Sequence, residues 1–119
     1  MIFEFCLTQK MTTTLVQAKC FLSLLLDNKT LSEQKKSLLA TSSDSQVKAI
    51  SLIVQNSLKS DLPVKNSDKK KIHKYRKILK KICNNKLTNS NKKKLIKKHY
   101  KIILVILLVL KELLEKVIL

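Results

Sequence analysis

Glycine is absent from this 119-residue chain, and proline occurs once, at Pro63. The strongest turn formers are therefore nearly missing, which excludes a hairpin-rich all-β fold and a glycine-rich phosphate loop. Tryptophan is absent and the aromatics number five, three Phe and two Tyr, so a large aromatic core or cage is also excluded. Arg76 is the only arginine, which leaves little capacity for bidentate readout of guanine edges. The eight acids are scattered, with no paired carboxylates suited to general acid–base work or metal binding. Three cysteines, Cys6, Cys20 and Cys83, are odd in number and far apart, and with His73 and His99 they match no metal-ligand spacing. No enzyme activity, metal or cofactor is expected.

Long apolar runs are lacking as well. The longest uninterrupted one is nine residues, Ile102 to Leu110. Nine helical residues reach about 13–14 Å at 1.5 Å each, under half of a hydrocarbon core roughly 30 Å thick. Extending the run to Leu119 would bury Lys111, Glu112, Glu115 and Lys116, each at a cost of about 2–3 kcal/mol. A transmembrane span is therefore not expected. The N-terminus, MIFEFCLTQK, has no basic flank and carries Glu4 inside its short apolar stretch, a poor signal peptide. Unpaired cysteines fit a reducing intracellular setting, nucleus or virion, rather than secretion.

What is plentiful is Leu, Ile, Lys, Ser and Asn, and the arrangement is helical. The expected fold is all-α, a small bundle of about five helices near 12–27, 31–41, 44–60, 68–83 and 91–117, the last one long. Thr30 with Glu33 and Ser43 with Gln46 read as capping boxes, and Ser67 and Ser90 as N-caps. Polar loops fall at 28–30, 42–43, 61–67 and 84–90. Leu15, Leu22, Leu25 and Leu26, then Leu38 with Leu39, then Val47, Ile50, Ile53, Val54 and Leu58 form the apolar stripes of the first three helices. These read as scaffold. Pro63 divides a near-neutral helical scaffold, 1–64, from a basic helical region, 65–119, the two forming either one compact unit or two joined halves.

Charge is the most informative property. The chain carries a net +17, yet residues 1–61 hold seven lysines against five acids, and residues 102–119 are neutral. Fifteen lysines and Arg76 stand against Asp68 alone over 65–101. An A/T-rich coding sequence favours Lys over Arg but does not gather fifteen in a third of the chain. Such a block points to a polyanionic partner, nucleic acid or anionic lipid headgroups.

Projected at 100° per residue, 69–82 places Ile72, Tyr75, Ile78, Leu79 and Ile82 within an arc of about 120°. Lys69, Lys70, His73, Lys74, Arg76, Lys77, Lys80 and Lys81 cover the remainder, with Lys71 at the edge of the apolar arc. Across 92–118 the apolar face holds Leu95, His99, Ile102, Ile103, Ile106, Val109, Leu110, Leu113, Leu114 and Val117, backed by Lys93, Lys94, Lys97, Lys101, Lys111, Glu112 and Glu115. Leu104, Val105 and Leu108 fall on the charged side, where they call for a protein or membrane neighbour or self-association.

The segments FLSLLLDNKTLSEQKKSLLATSSDSQVKAISLIVQNSLKSDLPV and KKKIHKYRKILKKICNNKLTNSNKKKLIKKHYKII resemble the short Lys/Arg-rich proteins of Maverick/Polinton elements and adintoviruses, over about residues 21–103. The likeness lies in Lys35–Lys36 before Leu38–Leu39, in Val47, Ala49 and Ile50 leading to Asn56 and Leu58, and in two basic helices after them. Members often close that region with a Gly-Gly-Phe turn, whereas this chain continues through Tyr100 and Ile102. The resemblance implies a small virion-associated or genome-packaging protein. The expected function is non-catalytic, non-sequence-specific binding and condensation of nucleic acid through Lys69, Lys70, His73, Lys74, Arg76, Lys77, Lys80, Lys81, Lys93, Lys94, Lys97 and Lys101. The alternatives are a membrane-active amphipathic protein and a helical interaction module whose lysines only solubilise it.

Overall fold

A computed structural model describes residues 9–59 and 62–118, with the side chains of 9–12 and 117–118 left out of account. Cys6, the N-terminal stretch, Asp61 and the Val117 side chain lie outside what is described. The described residues form nine helices and no strand: α1 (Gln9–Gln17), α2 (Lys19–Leu26), α3 (Ser32–Ala40), α4 (Asp44–Ser57), α5 (Asn66–Lys74), α6 (Arg76–Ile82), α7 (Asn89–Lys98), α8 (Tyr100–Val109) and α9 (Lys111–Ile118).

The all-α class is as expected, but the count of about five helices is corrected, and so is the long last helix. Three of the expected helices are broken at single residues: 12–27 at Ala18, 68–83 at Tyr75, and 91–117 at both His99 and Leu110. At Ala18, Tyr75, His99 and Leu110, φ lies between −110 and −96° and ψ between 6 and 33°. This sparsely populated bridge region tightens the chain for one residue. The amides of Ala18, Tyr75 and Ile102 donate three residues back, to the carbonyls of Leu15, Ile72 and His99. The α pattern then resumes, with Leu22 donating to Ala18, Leu79 to Tyr75 and Leu114 to Leu110. None of the four residues is Gly or Pro, so the bends come from packing. A straight helix over 91–117 would be about 40 Å long at 1.5 Å per residue, while the molecule measures 36 × 29 × 28 Å. Bending at His99 and Leu110 keeps the apolar side of the C-terminal segment against the core.

Helix α4 starts where the sequence places it. Ser43 Oγ accepts from the Gln46 amide at 3.3 Å, and Gln46 Oε1 accepts from the Ser43 amide at 2.9 Å, a complete capping box. Three other starts differ. The N-cap of α3 is Leu31, whose amide donates to Gln34 Oε1 at 3.0 Å, so the Thr30–Glu33 box does not form. The N-caps of α5 and α7 are Lys65 and Thr88 rather than Ser67 and Ser90, with Thr88 Oγ1 accepting from the Asn91 amide at 3.2 Å.

Helix α4 lies at the centre, packed against α1, α6, α7 and α8. Its Val47, Ala49, Ile50, Ile53 and Val54 are buried in a single hydrophobic core that runs from Leu15 to Leu114. Each fully buried Leu or Ile contributes about 1.5–3 kcal/mol by leaving water. Leu62, just before Pro63, is buried in this core, and Val64 packs against it, so the boundary segment is anchored.

The C-terminal seam departs from the straight projection. Ile96, Ile103, Ile106, Leu107, Leu110 and Leu114 are buried, whereas Leu95, Ile102, Val109 and Leu113 are only partly buried at its flank. Ile96 and Leu107 were absent from the projected face. The seam also includes Lys92, four residues before Ile96, and a charge at its start disguises its true centre. Of the three residues left over, Leu104 packs against the core, Val105 is half-buried, and Leu108 alone stays exposed.

Candidate nucleic-acid interface

On either side of Tyr75, α5 and α6 carry lysines, Arg76 and His73 in two rows at helical spacing. Lys69, His73, Arg76 and Lys80 form one, at spacings of four, three and four residues. Lys70, Lys74, Lys77 and Lys81 form the other, one residue later. All eight side chains are exposed, while Ile72, Leu79 and Ile82 beneath them are buried. Each row extends about 16 Å along the helix at 1.5 Å per residue.

The first row lines a cleft of about 490 Å³ together with Ser57, Leu58, Lys59, Leu62 and Ile72. Lys59, just beyond the end of α4, was not among the expected site residues. Its sequence neighbours are near-neutral, and only the fold carries it to the basic helices. Among the described residues no carboxylate pairs with Lys59, Lys69, Arg76 or Lys80. Asp68 is 4.0 Å from Lys71 instead. The second row is solvent-facing, with the Lys74 ammonium 5.6 Å from the Tyr75 ring centroid. Tyr75 itself is half-buried against the core.

The lysines of α7 and α8 divide differently. Lys94, Lys97 and Lys101 are exposed. Lys93 pairs with Asp44 across the α4–α7 contact at 3.1 Å. Lys92 turns inward, and its ammonium donates to Ser51 Oγ of α4 at 3.0 Å, with both residues buried. Lys35 of α3 is also buried, its stem covering apolar surface, and the Lys36 ammonium lies 5.0 Å from the Tyr100 ring centroid. These lysines tie helices together. The structure thus gathers Lys69, His73, Arg76 and Lys80 at one concavity, leaves Lys94, Lys97 and Lys101 on a separate exposed face, and commits Lys93 to an ion pair.

Cys83, at the end of α6, is half-buried. Burial pushes its thiol above the usual range, against a smaller opposing pull from its own backbone hydrogen bond and from the Lys92 and Lys80 ammonium groups. Among the described residues no three His, Cys, Asp or Glu side chains converge on a metal-sized site. No helix among them is long and apolar enough to cross a membrane.

No protein-family model, curated protein or solved structure matches this chain.

Proposed function

We propose that this protein binds nucleic acid without sequence preference, through phosphate contacts made by the α5–α6 rows and by the exposed lysines of α7 and α8. The observation that supports it is the pair of aligned, exposed cation rows on α5–α6, where Asp68 is the only carboxylate of the two helices. A solubilising surface has no need of such segregation. Ammonium groups held on a docked helix neutralise phosphates and release condensed counterions, which drives binding at low salt. A single arginine and the lack of a helix-turn-helix or zinc-finger pattern favour backbone contact over base readout. In keeping with the resemblance to element-encoded basic proteins, the biological role would be condensation or packaging of a genome inside a virion or nucleus.

DNA retardation at two or more salt concentrations tests this. If about six lysines engage, the slope of log K against log salt is near −5, from roughly −0.9 per contact. Neutralising Lys74, Lys77, Lys80 and Lys81 together should flatten that slope by about three to four units. A slope near zero for the unaltered protein, or equal binding by both proteins, overturns the reading.

A further inference from the structure

The cleft between the end of α4 and the first row of α5–α6 has properties that a flat phosphate-binding face does not need. It is concave, with a volume of about 490 Å³, inside the roughly 300–1,000 Å³ range of small-molecule sites. Its charge comes from two separate parts of the chain, Lys59 after α4 and Lys69, Arg76 and Lys80 on α5–α6, with His73 beside them. The only arginine of the chain is here, and a guanidinium fork suits phosphate oxygens in pairs. Among the described residues no carboxylate lines the cleft. Asp61, the nearest acid in sequence to Lys59, lies outside the described residues. Cations converging on one concavity repel one another, and an anion of matching charge density relieves that repulsion. Leu58, Leu62 and Ile72 supply an aliphatic side beneath the charges, which lowers the local dielectric and can take an uncharged part of a ligand.

We propose that this cleft is a discrete binding site for a compact run of two or three phosphates, as in a free oligophosphate or the polyphosphate arm of a nucleotide. The site goes beyond the nucleic-acid reading, because one ligand per chain and a need for Lys59, which lies outside the two rows, are not expected of a general basic surface.

Calorimetric titration of the full chain with tripolyphosphate, and separately with a nucleoside triphosphate, at about 0.15 M ionic strength tests this. Saturable binding at one ligand per chain is expected. The Lys59→Ala/Arg76→Ala variant should bind roughly tenfold or more weakly, because two charge-assisted contacts are lost. A charge-matched variant, Lys19→Ala/Lys48→Ala, removes two exposed lysines elsewhere and should keep its affinity within about twofold. Equal affinity for the two ligands assigns the phosphate run as the whole of what is recognised. Tighter binding of the nucleotide assigns the aliphatic side to its base or sugar. Non-saturating uptake of many ligands per chain, or equal weakening in both double variants, overturns the site. Circular dichroism of each variant shows that it is folded. DNA retardation on the same samples keeps the two proposals apart. A steep salt slope without saturable tripolyphosphate binding removes the cleft and leaves the general reading standing; the reverse result does the opposite.

Discussion

The lysines on the two sides of Pro63 differ by what they touch as well as by number. Before it, Lys35 is buried by its stem and Lys36 sits over Tyr100, both serving the packing of α3 against its neighbours. After it, the seven cations and His73 of the α5–α6 rows are exposed, and no carboxylate among the described residues pairs with any of them. Yet the division is not clean. Lys92 and Lys93 belong by composition to the basic block but by contact to α4, through Ser51 and Asp44. Lys59 belongs by composition to the neutral half and by position to the basic cleft. A block of charge in a sequence is therefore a poor guide to which of its members are available to a partner.

Three measurements sharpen that comparison. The largest effect is expected in the core the two halves share. Leu107 is 1% exposed and Leu108 is 51% exposed, although they are adjacent in an unbroken apolar run. Leu107→Ala should cost about 2–5 kcal/mol in urea unfolding, and Leu108→Ala less than about 1 kcal/mol. Comparable losses at both positions would show that the seam of α8 is rotated from the one described.

Smaller effects are expected where a lysine of the basic block serves the scaffold. Ser51→Ala leaves the buried Lys92 ammonium without its hydrogen-bond partner and should cost about 1–3 kcal/mol. Combining it with Lys92→Met replaces both partners by apolar groups and should recover most of that loss. The DNA affinity of the double variant should stay within about twofold, since Lys92 is not offered to phosphate. A large affinity loss in a folded double variant would return Lys92 to the binding surface.

The smallest effect concerns Cys83. In a Cys6→Ser background, the exposed Cys20 should react with a maleimide before the half-buried Cys83. Burial raises the Cys83 thiol in the folded chain, so the unfolded chain releases that proton first. Its contribution to stability is thus present below the unfolded thiol pKa and is lost as pH rises through the raised folded value. Cys83→Ala should flatten the fall in stability above about pH 8, and an unchanged pH profile would remove burial as the cause.

Helix α4 shows how much was legible in one dimension. Its Ser43–Gln46 box and its stripe of Val47, Ile50 and Val54 follow from residues close in sequence, whereas it ends at Ser57, short of the expected 60. The two basic rows were legible for the same reason, because spacings of three and four residues place their members on α5 and α6. The breaks at Ala18, Tyr75, His99 and Leu110 were not, since none carries Gly or Pro; those at His99 and Leu110 fall in a segment that as one straight helix would be longer than the molecule. Ile96 was missed because the charge on Lys92 disguises the start of the seam, and Leu107 because uniform projection of a nine-residue apolar run does not reveal which side meets the core. Lys59 gave no local signal at all.

Local chemistry along the chain determined the helical class, the capped start of α4, the concentration of charge after Pro63 and the alignment of that charge on α5–α6. Each of these depends on spacings of a few residues, over which helix geometry alone decides which side chains are neighbours. Only the tertiary structure decided which lysines meet solvent, where the long C-terminal segment bends, and that Lys59 and Arg76 line one cleft. Those outcomes depend on contacts between residues far apart in the chain, where burial of apolar surface outweighs the straightness of any one helix.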